Sequence, residues 1–332
     1  MTETSQVVGN YEFFGIVDKP KAGVTYKVRN LATGELEALR TLSGAAYSDP
    51  ESLERFLREI KIHTRLSHPN VVAFHDALEL DGRLVMTSEL VEGSTLTELL
   101  QRGAMPQKQA IQAMCQILSG LEEAHALGIV HRGITAEHVT IARDGQAKLG
   151  GFGLAKPTTD VNLTRAGAIV GNARYMSPEQ VTGVDALDAR ADLYSVGILL
   201  FYTLTGKLPF DGANDFDIMV TQVSTQPPLP SSVNPAIAPE TERVILTALA
   251  KKRDQRFASA TAFRSALEAL NGGAAPLPVP AAATLVPTPP PAEVPVFQNQ
   301  TESKPNRTLF VLGFVGVAVL LIVIYFATMH RA

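Results

Sequence analysis

The sequence of 332 residues contains no tryptophan and only one cysteine, Cys115. A single thiol excludes an internal disulfide, and its place in an apolar helical pattern with Ile111, Met114 and Leu118 predicts a buried, reduced thiol in a cytosolic domain. An excess of basic charge is also missing. Because 29 basic and 33 acidic residues give a formal net charge of −4, there is no electrostatic reason to expect nucleic acid as a partner.

The two ends of the chain differ in their hydrophobic character. The N-terminus lacks the basic stretch and apolar core of a secretory signal, so the chain is expected to start in the cytoplasm. Residues 307–329 form an apolar run without charge from Thr308 onward, which at about 1.5 Å per residue can cross a hydrocarbon core of ~30 Å. This predicts one transmembrane helix in the cell membrane, with residues 330–332 as a short outer tail. A buried soluble helix is the alternative.

Residues 272–306 connect this run to the rest of the chain. They include nine prolines between Pro276 and Pro305, and such a composition cannot bury a core. We expect an extended tether, with a ligand for proline-binding domains as the alternative. Residues 1–10 are predicted to be a polar leader, so the folded domain occupies residues 11–271.

This domain is organised around the segment 131–141, His-Arg-Gly-Ile-Thr-Ala-Glu-His-Val-Thr-Ile. One further motif, Ser67-His68-Pro69-Asn70, precedes this segment. Three more come after it, namely Gly151-Phe152-Gly153, Ser177-Pro178-Glu179 and Leu204-Thr205-Gly206. In order and spacing they resemble the eukaryotic-type serine/threonine protein kinases over about residues 10–270. The resemblance implies an α+β fold of two lobes, with a strand-rich N-lobe at about residues 11–89 and a helical C-lobe at about residues 90–271.

The same resemblance implies that the reactive positions have been lost. Gly133 stands where the family has its catalytic aspartate, Thr135 where it has the phosphate-facing lysine, and Asn172 where a threonine bonds to both. The two metal positions are His138 and Gly151. Glycine offers no ligand and imidazole nitrogen suits zinc or copper better than Mg²⁺, so no metal site is expected.

The nucleotide pocket of the family is altered as well. Asp18 and Pro20 replace two loop glycines, leaving Gly23, and Thr25 and Thr140 place hydroxyls where adenine needs apolar contact. Arg40 replaces the strand lysine and is expected to pair with Glu59 of the following helix; a solvated surface pair is the alternative. The pocket equivalents are Gly23, Thr25, Ala38, Arg40, Glu59, Ser88 (the gatekeeper position), Glu89, Val91 and Thr140.

Residues with structural roles in the family are kept. They are His131, Arg132, Phe152, Gly153, Asp192, which braces the catalytic loop, and Glu179 with its expected partner Arg256. Thr158, Thr159 and Thr164 lie in the activation-segment equivalent. They are possible acceptors for another kinase, because Arg132 could receive a phosphate; ordinary loop threonines are the alternative.

These observations favour a membrane-tethered pseudokinase that acts as a binding or regulatory scaffold in phospho-signalling. Its partners would be proteins, such as an active kinase or its substrate, and no cofactor is expected. The alternative is an atypical active serine/threonine kinase that uses Mg-ATP and recruits Glu137, Asp144 or Asp160 as substitute base or ligand. A third possibility is a plain structural anchor at the membrane.

Overall fold

The computed structural model describes residues 6–19, 23–157, 172–184 and 187–271. The N-lobe is built on a six-stranded antiparallel sheet with the order β1-β2-β3-β4-β6-β5. Its strands are β1 (Gln6–Val8), β2 (Tyr11–Asp18), β3 (Gly23–Asn30), β4 (Leu36–Leu42), β5 (Phe74–Leu80) and β6 (Arg83–Glu89). Strand β1 lies inside the segment predicted as a polar leader. Val8 is buried there, so the sheet begins earlier in the chain than composition indicates.

Two helices, α1 (Gly44–Tyr47) and α2 (Pro50–His63), follow strand β4. Helix α2 starts at a well-formed N-cap, because the Asp49 side chain accepts a hydrogen bond from the Ser52 amide and Pro50 occupies the first turn. Its buried face carries Phe56 and Ile62, which pack against the sheet and the C-lobe core respectively. Glu59 lies on the same buried face, so α2 brings a charged group into the interior.

The C-lobe is mainly helical. Its helices are α3 (Leu96–Leu100), α4 (Gln107–Ala126), α5 (Pro178–Val181), α6 (Arg190–Thr205), α7 (Asp215–Ser224), α8 (Pro230–Val233), α9 (Pro239–Ala248) and α10 (Ala260–Asn271). Its short strands are β7 (Gly93–Thr95), β8 (Ile129–Val130), β9 (Val139–Ala142), β10 (Ala147–Leu149) and β11 (Lys156–Pro157). The strands form two small sheets, β10-β9-β7 and β11-β8. Three single turns of 3₁₀ helix cover Phe152–Leu154, Ala173–Tyr175 and Arg253–Gln255.

Helices α4 and α6 form the centre of the C-lobe core. Helix α6 is hydrophobic on all sides, with buried residues from Ala191 to Leu204, as expected for a helix surrounded by others. Cys115 on α4 is partly buried against this core, and burial raises the pKa of its thiol to about 12. The thiol is therefore protonated at neutral pH.

The segment after α2 joins the N-lobe to the C-lobe. Asn70 donates to the carbonyl oxygen of Ala147 at 2.8 Å and to the side chain of Gln116 at 3.0 Å. Backbone bonds from Val72 to Leu149 and from Leu149 to Asn70 add a short parallel bridge beside them. These contacts fix helix α2 relative to strand β10, which leads directly into the candidate site.

The two-lobed α+β architecture predicted from the motifs is confirmed. None of the helices in the described ranges is both long and apolar enough to cross a membrane. The predicted tether (272–306) and span (307–329) lie outside those ranges.

Candidate functional site

The loop after strand β8 is held by one buried carboxylate. Asp192 on α6 is fully buried and accepts hydrogen bonds at 2.8 Å from the backbone amides of His131 and Arg132 and from Nε2 of His125. Burial, the largest influence, acts to raise the pKa of Asp192, but the hydrogen bond and charge of His125 and the donated amides keep it below its usual value. The loop therefore keeps its shape through charge-assisted bonds.

Arg132 has left-handed backbone geometry (φ 65°). A non-glycine residue in this region costs of order 1–3 kcal/mol and persists only where its surroundings impose it. Here Gln180 of α5 donates to the Arg132 carbonyl oxygen at 2.9 Å. The loop backbone is thus fixed from α6 on one side and from α5 on the other.

A hydrophobic side chain packs against the position that the resemblance aligns with the catalytic base. A Cβ added to Gly133 would lie 3.3 Å from Cδ1 and 3.5 Å from Cβ of Leu154. Thr135, two residues on, is buried and its hydroxyl has no hydrogen-bond partner. An apolar contact and an unpartnered hydroxyl therefore stand where the family has its base and its phosphate-facing cation.

The two positions that the resemblance aligns with metal ligands are in direct contact. Gly151 has left-handed geometry (φ 78°), and a Cβ added there would lie 2.4–2.6 Å from three ring atoms of His138. The imidazole thus occupies the volume of a side chain at position 151. Its Nδ1 donates to the carbonyl oxygen of Gly133 at 2.6 Å. Magnesium requires hard oxygen ligands, and this pair supplies none, so these residues do not fit the metal of the family.

Arg40 and Glu59 meet across the N-lobe. Arg40 on β4 donates to Oε1 of Glu59 at 2.5 Å, and the Glu59 side chain is only 3% exposed. Gly153 allows this approach, since a Cβ there would lie 2.9 Å from Oε2 of Glu59. The ion pair links strand β4 to helix α2.

Three aromatic rings form a column beside this ion pair. The Phe152 ring lies 4.4 Å from that of His131 and 5.2 Å from that of His63 on α2, measured between centroids. Burial lowers the pKa of both histidines to about 4. The sequence analysis did not single out His63. Its position four residues after Glu59 indicates the same face of α2.

Replacing His63 with leucine should reduce the loss of stability in acid. Between pH 6.5 and about 4 the unfolded chain binds a proton at His63 and the folded chain does not, so stability falls as pH falls through this window. The shift corresponds to a loss on the order of 3 kcal/mol. Urea unfolding at pH 7 and pH 4.5 should show a smaller difference for His63→Leu than for the parent. An unchanged difference would contradict this account.

The residues predicted as pocket equivalents lie on strands of both lobes. Gly23 is explained by packing, because a Cβ there would lie 2.5 Å from the Thr41 carbonyl oxygen of the neighbouring strand. Ala38 pairs with Ser88 across β4 and β6, and Thr25 pairs with Arg40. Thr140 on β9 lies in the C-lobe half, paired with Thr95 and Lys148. Pro20 lies outside the described residues.

A second ion pair, absent from the sequence prediction, links strand β10 of the C-lobe to the end of strand β6 in the N-lobe. Lys148 on β10 donates to Oε2 of Glu89 at 2.8 Å, and the Ala73 amide donates to the same oxygen at 3.3 Å. Val91 follows in the connection and is half-buried. The pair could not be found from spacing, because 59 residues separate its partners.

Farther from the cleft, Arg256 and Glu179 form a buried bidentate pair. The two guanidinium nitrogens lie 2.6 and 2.8 Å from the carboxylate oxygens, and the Arg256 side chain is fully buried.

The possible phosphate acceptors lie outside the described residues; they are Thr158, Thr159 and Thr164. Asn172 is described and caps the following turn by accepting from the Arg174 amide. Across the described ranges, no group of three or more histidine, cysteine or carboxylate side chains could hold a metal ion.

Comparison with known proteins connects this geometry to one family. Residues 11–267 match the protein kinase domain. A probable serine/threonine-protein kinase of Streptomyces coelicolor is 36% identical over 281 residues, covering 82% of this chain and 42% of its own length. PknL of Mycobacterium tuberculosis is 38% identical over 237 residues, covering 70% of this chain and 58% of its own. The chain thus spans about half the length of these relatives.

A solved structure shows the same likeness. The kinase domain of Mycobacterium tuberculosis PknI superposes with a TM-score of 0.62 at 25% identity, covering 81% of this chain and 99% of the PknI domain.

Proposed function

Because the chain belongs to the protein kinase family, with bacterial serine/threonine kinases among its relatives, we propose that it is a pseudokinase that acts by binding other proteins in phospho-signalling. The observation that carries the proposal is the contact between His138 and Gly151. The imidazole ring of His138 fills the volume in which a metal-binding carboxylate at position 151 would lie. The glycine at 151 therefore leaves the space that the histidine at 138 occupies.

The contact at Gly133 supports the same reading. Leu154 packs within 3.3 Å of the point where the side chain of a general base would begin, and it is apolar. A positioned base typically contributes 10²–10⁴-fold to a rate, and the metal ions contribute several kcal/mol of charge stabilisation. With both lost, no single substitute residue restores phosphoryl transfer.

The residues considered as substitutes do not favour the active alternative. Glu137 is exposed, and Asp144 accepts from the Gln146 amide in the turn between β9 and β10. Asp160 lies outside the described residues. None of these observations supports a recruited base or metal ligand.

The proposal predicts that the purified full chain transfers no γ-phosphate, with Mg²⁺ or Mn²⁺, to itself or to a generic acceptor protein. The matched control is Ala38→Phe, which places a large side chain on β4 at a predicted pocket position. Parent and variant should give the same background of radiolabel from γ-³²P-ATP. Transfer by the parent that Ala38→Phe abolishes would overturn the proposal.

We further propose that the kinase-like domain is tethered to the cytoplasmic face of the cell membrane by residues 272–306 and the span 307–329. On this proposal, Thr158, Thr159 and Thr164 accept phosphate from an active kinase partner, and Arg132 receives it. Fractionation of cells tests the tether, and recovery of the chain in the soluble fraction contradicts it. Mass spectrometry of the chain purified from membranes tests the regulatory role, and unmodified threonines contradict it.

A further inference from the structure

Helix α7 exposes an apolar stripe to solvent. The stripe consists of Phe216, Val220 and Val223, which are spaced by four and three residues and therefore lie on one face of the helix. Their exposed fractions are 69%, 46% and 37%, and Phe216 is the most exposed large hydrophobic residue in the described ranges. Single exposed apolar residues are ordinary on a protein surface, whereas an aligned set that includes an aromatic ring is typical of an interaction site.

The inner face of α7 is fixed to the C-lobe, so the helix cannot turn to bury the stripe. Gln222 is fully buried on this inner face and accepts a hydrogen bond from the Tyr194 hydroxyl at 2.7 Å. Its amide nitrogen lies 3.2 and 3.0 Å from the carbonyl oxygens of Ala173 and Arg174, to which it donates. Lys251 donates to the Gln222 carbonyl oxygen at 2.8 Å. The stripe is therefore presented on a helix that is already ordered, which reduces the entropic cost of binding.

The charge around the stripe selects its partner. Asp215 and Asp217 precede and follow the most exposed residue of the stripe, and residues 208–242 include five acidic residues and no basic one. Arg174, on the 3₁₀ turn beside α7, is engaged with Asp211 at 3.0 Å. Carboxylates that border an apolar face attract a partner with basic side chains around its own apolar face.

Two other occupants of the stripe are disfavoured by the same charge. In a twofold contact between copies of the chain, one patch meets itself, so Asp215 and Asp217 would approach identical carboxylates. Anionic lipid headgroups attract basic segments, and an acidic border repels them. The occupant that the charge favours is therefore a different protein with a basic surface.

We propose that the apolar stripe of α7 binds an amphipathic helix of another protein, whose apolar face is bordered by lysine or arginine. This inference rests on the proposed function and deepens it, because it names a surface through which the domain binds a partner. Residues three and four apart on the partner helix would pack against Phe216, Val220 and Val223. Since a helix of ten residues is only about 15 Å long, the contact is small and a micromolar Kd is expected.

The test is fluorescence anisotropy of labelled synthetic peptides titrated with the purified full chain. The first peptide is a helix with a leucine face bordered by lysine, the second has glutamate in place of lysine, and the third has the composition of the first in an order without an apolar face. Only the first should bind saturably, and its Kd should rise with salt.

Variants of the stripe show whether the peptide binds there. Phe216→Ser should raise Kd by at least about tenfold, because it removes the central apolar anchor. Val220→Ser should also raise Kd, so the result does not depend on one substitution. The matched control is Leu57→Ser, which removes a half-exposed apolar side chain from α2 and should leave Kd unchanged. All three sites are exposed, so the variants should unfold at the same urea concentration as the parent.

The outcomes separate this inference from the pseudokinase proposal. No saturable binding of the lysine peptide, equal binding of the glutamate peptide, or an unchanged Kd in both stripe variants overturns the inference. Self-association in sedimentation, or binding to phosphatidylglycerol vesicles, that Phe216→Ser weakens also overturns it, since a second copy or a lipid would then cover the stripe. The peptide assay contains no nucleotide, so the phosphate-transfer assay decides the pseudokinase proposal independently.

Discussion

Gly151→Asp should destabilise the protein by about 2–4 kcal/mol, and adding His138→Asn should recover a large part of that loss. The single change forces Cβ to within 2.4–2.6 Å of the His138 ring, and overpacking of this kind typically costs 1–3 kcal/mol, with left-handed strain added. Asparagine is smaller than imidazole and leaves room for the aspartate. The two changes should therefore couple by about 1–3 kcal/mol.

Equilibrium unfolding in urea of the parent, both single variants and the double variant measures this coupling. Gly34→Asp is a matched control, because Gly34 has φ 77° but no atom within 4 Å of an added Cβ, so it reports backbone strain alone. Additive losses in the cycle would show that the ring does not fill the position. The double variant alone offers oxygen ligands at both positions, so it alone should gain Mg²⁺-dependent stabilisation by ATP.

Arg256→Ala should lower the free energy of unfolding by about 3–5 kcal/mol, because it leaves the Glu179 carboxylate buried without its partner. The loss extends beyond one ion pair. The guanidinium also donates to the carbonyl oxygens of Ala250, Arg190 and Lys251. Arg256→Lys should restore little, since an ammonium cannot form the bidentate pair and reach three carbonyls as well.

Urea unfolding measures this effect too. The control is Arg29→Ala, which removes an exposed pair with Glu12 and should change stability by no more than about 1 kcal/mol. A similar small loss for Arg256→Ala would show that the buried pair does not hold α5 against the turn after α9.

The large features of the fold could be read from the sequence, because motifs fix the order of elements. The motifs at His131, Gly151 and Glu179 resemble those of the protein kinases, and the resemblance implies two lobes without any knowledge of contacts. The pairing of Arg40 with Glu59 could also be proposed, since each residue occupies a defined family position. Contacts that have no counterpart among the family's motifs, such as that of Lys148 with Glu89, could not be predicted.

His138 shows where sequence reasoning stopped. The loss of metal ligands was visible in the residue types, but the filling of the vacated volume by the imidazole depends on left-handed geometry at Gly151 and on a hydrogen bond to Gly133. Likewise, the resemblance leaves Gly23 as a lone loop glycine in what is expected to be an ordinary β-turn, whereas the carbonyl oxygen of Thr41 explains its lack of a side chain. In both cases a small side chain has a reason that only neighbouring strands or loops reveal.

The ion pair of Arg40 with Glu59 has a consequence for signalling. In a protein whose α2 helix moved with nucleotide, a partner touching that helix would sense the energy state of the cell. Here the helix is fastened to strand β4 by groups of the chain itself. On the proposed function, a partner that touches α2 would then report how many copies of the domain are present and where they are held.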